Sequence, residues 1–313
     1  QLGMEVFLRI GIGITNGLLF MHKGGVNTEV QTDEWRVEKR IERRGTVTDV
    51  HSTIHTPAGH LTQVFSYNEI RPGTFLYACT KKPVLTREDP DLVAQYEPGV
   101  TPEWAAEVRR RIALAREFVG DDGVVGVWMP HGPFNMSSLI FPHDELYMLF
   151  LTDPELYDEL MRVSLQRARP YAEAIEAAGP DVQFVAGNVG GGFLGAANWN
   201  HYLLPYEKSY IEFVQKNGTP AMYHNCGEIM NLVDSYKDLG VQIVEPFSPP
   251  PLGDCTDLGA TKKQVAGDYV MLSGIDQVNV LQKGGIDEVK RSTEEKIKAG
   301  KPGGKFIMQP VDF

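Results

Sequence analysis

The sequence is short of cysteine, of clustered positive charge and of long apolar runs, and each shortage removes a class of protein. Three cysteines, Cys79, Cys226 and Cys255, are scattered through 313 residues. So sparse and odd a set argues against a disulfide scaffold and for a reducing compartment, where a thiol is buried filler or a metal ligand. Thirty lysines and arginines stand against 41 aspartates and glutamates, a net charge of -11, and basic stretches stay as short as 109–111. Most of this surface repels a phosphate backbone, so nucleic acid is not an expected partner. The longest apolar stretches, such as 123–129 and 146–151, fall far short of the ~20 residues that span a bilayer. No basic-then-apolar leader opens the chain, so neither membrane insertion nor secretion is expected and the cytoplasm is the default location. G-x-S-x-G, H-E-x-x-H, a P-loop lysine and a CxxC pair are also missing. Serine hydrolysis and nucleotide-driven phosphoryl transfer are therefore poor fits.

What is present is an ordinary globular composition, 42% hydrophobic and 23% charged, able to bury a sizeable core. The length suits two domains of about 150 residues or one α/β barrel of ~250. Short apolar runs alternate with amphipathic stretches, the signature of βα units and a parallel sheet. Strands are expected at 123–129, 181–186, 220–224, 241–244, 269–273 and 305–309. A helix is expected after Thr101, where Pro102 suits the first turn and Trp104, Val108, Ile112, Ala115 and Val119 share one face. Further helices are expected at 142–151, 154–178, 199–216, 228–239, 258–266 and 287–299.

The first 90 residues differ. Residues 3–13 read as a short helix, and 45–66, with Val47, Val50, Ile54 and the turn Thr56-Pro57-Ala58-Gly59, as an antiparallel hairpin decorating the main fold. No internal repeat is visible, which disfavours a solenoid. The chain stops directly after a strand and shows no opening strand, so a barrel trimmed at both ends is expected.

In a barrel, functional groups come from the C-terminal ends of strands and the loops that follow. Those positions here are 130–132, 187–189, 224–227, 245–246, 274–276 and 310–312. His224 and Cys226 lie two apart at a strand end, so both can project to one side, the beginning of a zinc site; a packed thiol beside a hydrogen-bonded histidine is the alternative. Glu245 ends the next strand, within reach of the same ion, or else caps a helix or pairs with a lysine. The glycine-rich run 187–192 lacks the Walker lysine and the GxGxxG spacing, which favours close backbone approach or a mobile loop over a phosphate cradle. His131 on a mouth loop meets substrate or solvent. Pro249 to Pro251 form a stiff connector. Asp276 either faces the mouth or accepts backbone bonds to shape its own turn, and the turn is favoured.

Four segments then carry a family likeness: His224-Asn225-Cys226-Gly227, Gly240-Val241-Gln242-Ile243-Val244-Glu245, Leu272-Ser273-Gly274-Ile275-Asp276 and Gly303-Gly304-Lys305-Phe306-Ile307. Their succession resembles the uroporphyrinogen decarboxylase superfamily over nearly the whole chain, most strongly from Pro220 onwards. The Thr56-Pro57-Ala58-Gly59 turn resembles the TP-G element of its methyltransferase-like members. The resemblance implies an α/β fold, a TIM-type (β/α)8 barrel, as one domain over 1–313, with about 1–90 as N-terminal decoration and hairpin and about 91–313 as barrel core.

The decarboxylase proper carries an arginine-rich N-terminal motif of the RQAGR kind and an aspartate at the barrel mouth. Here residues 2–19 hold one arginine, Arg9, and Asn188 stands at the strand end that often carries the acid. The corrinoid-linked methyltransferases and, more distantly, cobalamin-independent methionine synthase bind zinc through H-x-C and a late cysteine, with a glutamate joining in the synthase. By this resemblance His224 and Cys226 match the first two ligands and Glu245 the glutamate. The late cysteine is replaced by Pro310-Val311-Asp312, where Asp312 would complete a harder, less thiolate-rich set. The resemblance thus implies a zinc enzyme that moves a methyl group between a small methylated compound and a corrinoid protein or thiol, with His131, Asn188 and Asp276 towards the substrate. Decarboxylation of a carboxylated tetrapyrrole is the alternative, a non-catalytic binding barrel the second, and pairing into a homodimer is compatible with either.

Overall fold

The computed structural model describes residues 25–311 and the backbone of 6–10. The chain divides into two compact units, residues 1–123 with 133–179, and residues 124–132 with 180–313.

In the first unit, strands β2 (Arg36–Arg44), β3 (Val47–Thr56), β4 (Gly59–Arg71) and β5 (Thr74–Lys81) form an antiparallel sheet in sequence order. The hairpin expected at 45–66 is its centre. Thr56 pairs with Gly59 across the turn, and the Thr56 hydroxyl accepts from the Gly59 N–H at 3.1 Å and donates to its carbonyl at 3.0 Å. The sheet is larger than the expected hairpin by β2 and β5; β2, with the sequence RVEKRIERR, is almost wholly charged and its Val37 and Ile41 are too few to show an apolar alternation. Val6–Ile10 is a strand, β1, where 3–13 was expected to be helical. A five-residue run of VFLRI between glycines is too short for periodicity to separate helix from strand.

The helices of this unit are α1 (Asp89–Tyr96), α2 (Pro102–Val119), α3 (Pro133–Ile140), α4 (His143–Thr152) and α5 (Pro154–Glu176). Helix α2 begins where the sequence says it should: the Thr101 side chain accepts from the Trp104 N–H, and Trp104, Val108, Ile112, Ala115 and Val119 are buried. Trp104 meets Tyr171 of α5 edge-on at 4.9 Å. One turn before that tyrosine, Arg167 is buried against Glu97, Nε to Oε2 2.6 Å.

The second unit is built on six parallel strands, β6 (Gly123–Trp128), β7 (Val182–Ala186), β8 (Ala221–His224), β9 (Ile243–Glu245), β10 (Val270–Asp276) and β11 (Phe306–Val311), each beside its predecessor. All six are visible as apolar runs; every residue of β7, β8 and β9 is buried, as in a parallel sheet covered on both faces, while β6 and β11 are partly exposed. The unit is α/β and barrel-like, with six such strands among the described residues rather than a closed set of eight. Its helices are α6 (Gly191–Asn198), α7 (Leu204–Val214), α8 (Tyr236–Leu239), α9 (Leu258–Val265) and α10 (Ile286–Gly300). The long helix expected over 228–239 is instead a 3-10 turn at Met230–Leu232 followed by the short α8. The Asp254 carboxylate accepts the Ile229 and Met230 N–H groups and diverts the start of that segment.

Close approach to the sheet explains Gly126. A Cβ there would lie 2.1 Å from a ring carbon of Phe184, which is itself wholly buried. Gly126→Ala is expected to cost about 1–3 kcal/mol through overpacking. The check is the midpoint of urea unfolding; an unchanged midpoint would mean that the Phe184 ring rotates away freely.

Candidate strand-end site

Strand register sets the site. Ala186 on β7 pairs with His224 on β8, and His224 pairs with Glu245 on β9, so the last residues of three strands lie in one row. Across this row the His224 Nδ1 and Glu245 Oε1 atoms are 3.1 Å apart. The other oxygen of Glu245 accepts from Gln309 Nε2 on β11 at 2.7 Å. Glu245 is 0% and His224 6% exposed, so the carboxylate is desolvated and has exchanged water for two directed partners. Trp128, at the end of β6, closes one side: its ring meets His224 edge-on at 5.8 Å and packs on Phe184 at 5.4 Å.

Cys226 lies beside the His224 ring, half-buried, two residues on. Burial alone would lower the imidazole, but hydrogen bonding to Cys226 and Glu245 and the neighbouring negative charge outweigh it and raise His224 to about 9. The Cys226 Sγ is 3.9 Å from Asn188 Oδ1. Asn188 stands at φ 53°, in the left-handed region that asparagine tolerates better than most residues.

Asn225 clamps the two loops that supply these groups. It is 0% exposed; its Oδ1 accepts from the Val189 N–H at 2.6 Å, while its Nδ2 donates to the Val189 carbonyl and the Tyr236 hydroxyl, each at 2.9 Å. Asn188 and Cys226 are held near each other as a result. The glycine-rich run serves close approach: a Cβ on Gly187 would sit 1.9 Å from the Tyr223 hydroxyl, and one on Gly191 1.7 Å from Asn231 Oδ1.

The structure therefore brings together His224, Cys226, Glu245 and Asn188, the residues expected from three separate strand-end positions. His131 sits half-buried on the loop leaving β6, a loop pinned by the Tyr210 hydroxyl donating to the Pro130 carbonyl at 3.1 Å. Asp276 takes the turn role that the sequence favoured: Oδ1 accepts from the Val278 and Asn279 N–H groups at 2.8 Å each, and Oδ2 from Asn279 Nδ2 at 2.8 Å. Burial pulls its carboxyl upward, and those bonds more than offset it, holding the group below the usual range. Asp312 lies outside the described residues.

Among the described residues, no three His, Cys, Asp or Glu side chains converge to hold a metal ion. Glu245, expected as a ligand, has one oxygen on His224 and the other on Gln309. That leaves an imidazole and a thiol sulfur, donors that suit zinc, and a carboxylate on Nδ1 is how zinc-bound histidines are held from behind. Sequence reasoning missed Gln309, Trp128 and Asn225. It also missed Glu207, 1% exposed on α7, whose Oε2 accepts from the Tyr223 hydroxyl at 3.2 Å beneath the row. Gln309 falls inside an apolar strand run and Glu207 inside an amphipathic helix, so neither gave a distinguishing signal.

Comparison with known proteins adds family and fold. A family model described as uroporphyrinogen decarboxylase (URO-D) matches residues 69–310. Among solved structures, a methyltransferase from Methanosarcina mazei superposes with a TM-score of 0.62 at 16% identity, over 76% of this chain and 66% of that one. At that identity the likeness is one of fold, and the chain spans just under two thirds of the methyltransferase's length. No curated protein matches the sequence. No helix among the described residues is long and apolar enough to cross a membrane.

Proposed function

This chain belongs to the uroporphyrinogen decarboxylase family, and from that membership we propose that it is a methyltransferase-type enzyme, moving a methyl group between a small methylated compound and either a corrinoid carried by a partner protein or a thiol. The observation that carries the reading is the His224–Cys226 pair at the end of β8, with Glu245 bonded to the back of the imidazole. Fold likeness to a methyltransferase supports it.

Each neighbour has a distinct task. Glu245 engages Nδ1, which leaves Nε2 as the working nitrogen of the ring. Gln309 fixes the Glu245 carboxylate, and Trp128 restricts the ring from the side. Cys226 presents its sulfur at the half-open edge, where the Asn188 amide can orient the polar end of a substrate. Zinc belongs to this proposal, with His224 and Cys226 as donors and Asp312 as a third; bound there, it would lower the pKa of a thiol or water and hold the resulting nucleophile. The transfer itself is a displacement at carbon. The bond from methyl to the donor's heteroatom breaks, its electron pair leaves with that heteroatom, and a bond to the acceptor's cobalt or sulfur forms. The same reading takes the six parallel strands as part of an eight-stranded barrel, for which family membership is the support.

The family description also favours a second reading, decarboxylation of a carboxylated tetrapyrrole. Of Trp128, Asn188, His224, Cys226, Glu245 and Gln309, His224 alone carries a positive charge, and Glu245 already engages it, which places this reading second. Incubation of the purified protein with cob(I)alamin and a panel of methylated alcohols, amines, thiols and aryl ethers is expected to yield methylcobalamin from at least one of them. Loss of carboxylates from uroporphyrinogen, with no methylcobalamin from any donor, would replace methyl transfer by decarboxylation.

A further inference from the structure

At the other end of the same parallel strands, where β10 and β11 begin, helices α9 and α10 and the loops that follow them border a half-open cavity of about 450 Å3. Its walls are small and basic: Gly259, Ala299 and Gly303 leave room, while Lys262, Lys263 and Lys298 supply three ammonium groups with no acidic side chain in the lining. This is a local inversion in a chain of net charge -11. A volume of this size lies within the ~300–1,000 Å3 of small-molecule sites.

Lys262 is the decisive group. It is 8% exposed, and among the described residues no carboxylate or carbonyl accepts a hydrogen bond from it. Its stem is buried while its ammonium keeps access to the open space of the cavity, as a long amphipathic side chain does. All three lysines sit on the last turns of their helices, where the carbonyl ends attract cations. That attraction accounts for exposed lysines such as Lys263 and Lys298, but it does not require one of them to be buried beside a cavity. A ligand that brings negative charge into the cavity would complete the environment of Lys262.

We propose that this cavity is a binding site for a small phosphorylated molecule, with Lys262 at its floor and Lys263 and Lys298 at its rim. Phosphate suits compact ammonium groups on flexible stems, which approach it as point charges rather than as a fork. The site is separate from the strand-end row and does not depend on its reading. Ala266, Gly267, Pro302 and Gly303 of two loops also line it, and the Lys305 ammonium donates to the Gly267 carbonyl and ties these loops together.

The test is isothermal titration calorimetry of the whole chain with inorganic pyrophosphate and with glycerol 3-phosphate, for the wild type, Lys262→Met and Lys298→Met. Methionine keeps an apolar stem of similar length and removes the charge. The wild type is expected to bind at one site per chain, less tightly as salt is added. Lys262→Met is expected to weaken binding about tenfold or more, as loss of a charged hydrogen bond does, and Lys298→Met to weaken it less. Should Lys262→Met fail to fold, Lys298→Met and a phosphate-dependent rise in the wild-type Tm carry the test. Absence of binding to the wild type, or equal binding by the wild type and both variants, overturns the proposal.

Discussion

Glu245→Gln is expected to lower methyl transfer about 10- to 100-fold, the usual effect of removing the carboxylate behind a working histidine. Glutamine matches the shape of the buried glutamate, so the β9 end should keep its packing. It cannot match the electrostatics. One end of its amide presents N–H2, so it can no longer accept from both Gln309 and an Nδ1–H of His224, and the charge that holds the imidazole up is gone. Because Glu245 acts through His224 and not on substrate, the loss should fall on kcat and leave KM nearly unchanged. Steady-state rates with the donor identified by the cobalamin assay check this, alongside circular dichroism to confirm the fold. A wild-type kcat in Glu245→Gln would reduce the carboxylate to a packing element.

The largest expected stability effect lies in the first unit. Arg167→Met is expected to cost about 3–5 kcal/mol, because it strands a buried carboxylate. Arg167 and Glu97 have side chains only 4% and 6% exposed. Their contact is two-pronged, Nε to Oε2 at 2.6 Å and Nη2 to Oε1 at 3.1 Å, and Nη2 also donates to the Gly25 carbonyl at 3.0 Å. Glu97 in turn accepts the Asn27 N–H at 2.7 Å, so the pair fastens the chain near residue 25 to α5. Removing the arginine leaves Glu97 charged, buried and with one backbone donor. Arg291 offers the contrast: its two glutamate partners are exposed, and such pairs contribute about 0–1 kcal/mol. Urea unfolding of Arg167→Met and of the double variant with Glu97→Met measures the difference. The double variant should recover much of the loss, since it no longer buries a lone charge; equal stability of wild type and Arg167→Met would contradict the argument.

The parallel strands were legible because each writes a short apolar run, as in GVVGVW and VQFVA, and the middle ones are buried on both faces. The antiparallel sheet was half legible. Its central turn declares itself through Thr56 and Gly59, but β2 is solvated on both sides and its charges mask the strand. Val6–Ile10 carries too few residues for a period, and the glycines around it do not decide between helix and strand. At the site, strand-end position pointed to His224, Cys226 and Glu245, and the family resemblance to Asn188. What the sequence could not supply was the relation among them. Whether Glu245 meets a metal or the imidazole depends on register between β8 and β9 and on a side-chain torsion, neither of which is written in residue order. Gln309 matters through a hydrogen bond made across 64 residues of chain and Asn225 through a pair made across 36, and nothing local marks them. Asp276 was legible as a turn former, because its bonds run only two and three residues ahead.

The central claim is that His224 and Cys226 form one working pair that holds zinc, with Glu245 supporting the imidazole from behind. Elemental analysis of freshly purified wild type, Cys226→Ala and Lys262→Met tests it most directly. The account predicts close to one zinc per chain in the wild type and in Lys262→Met, and its loss in a folded Cys226→Ala. Equal and negligible zinc in all three would contradict it.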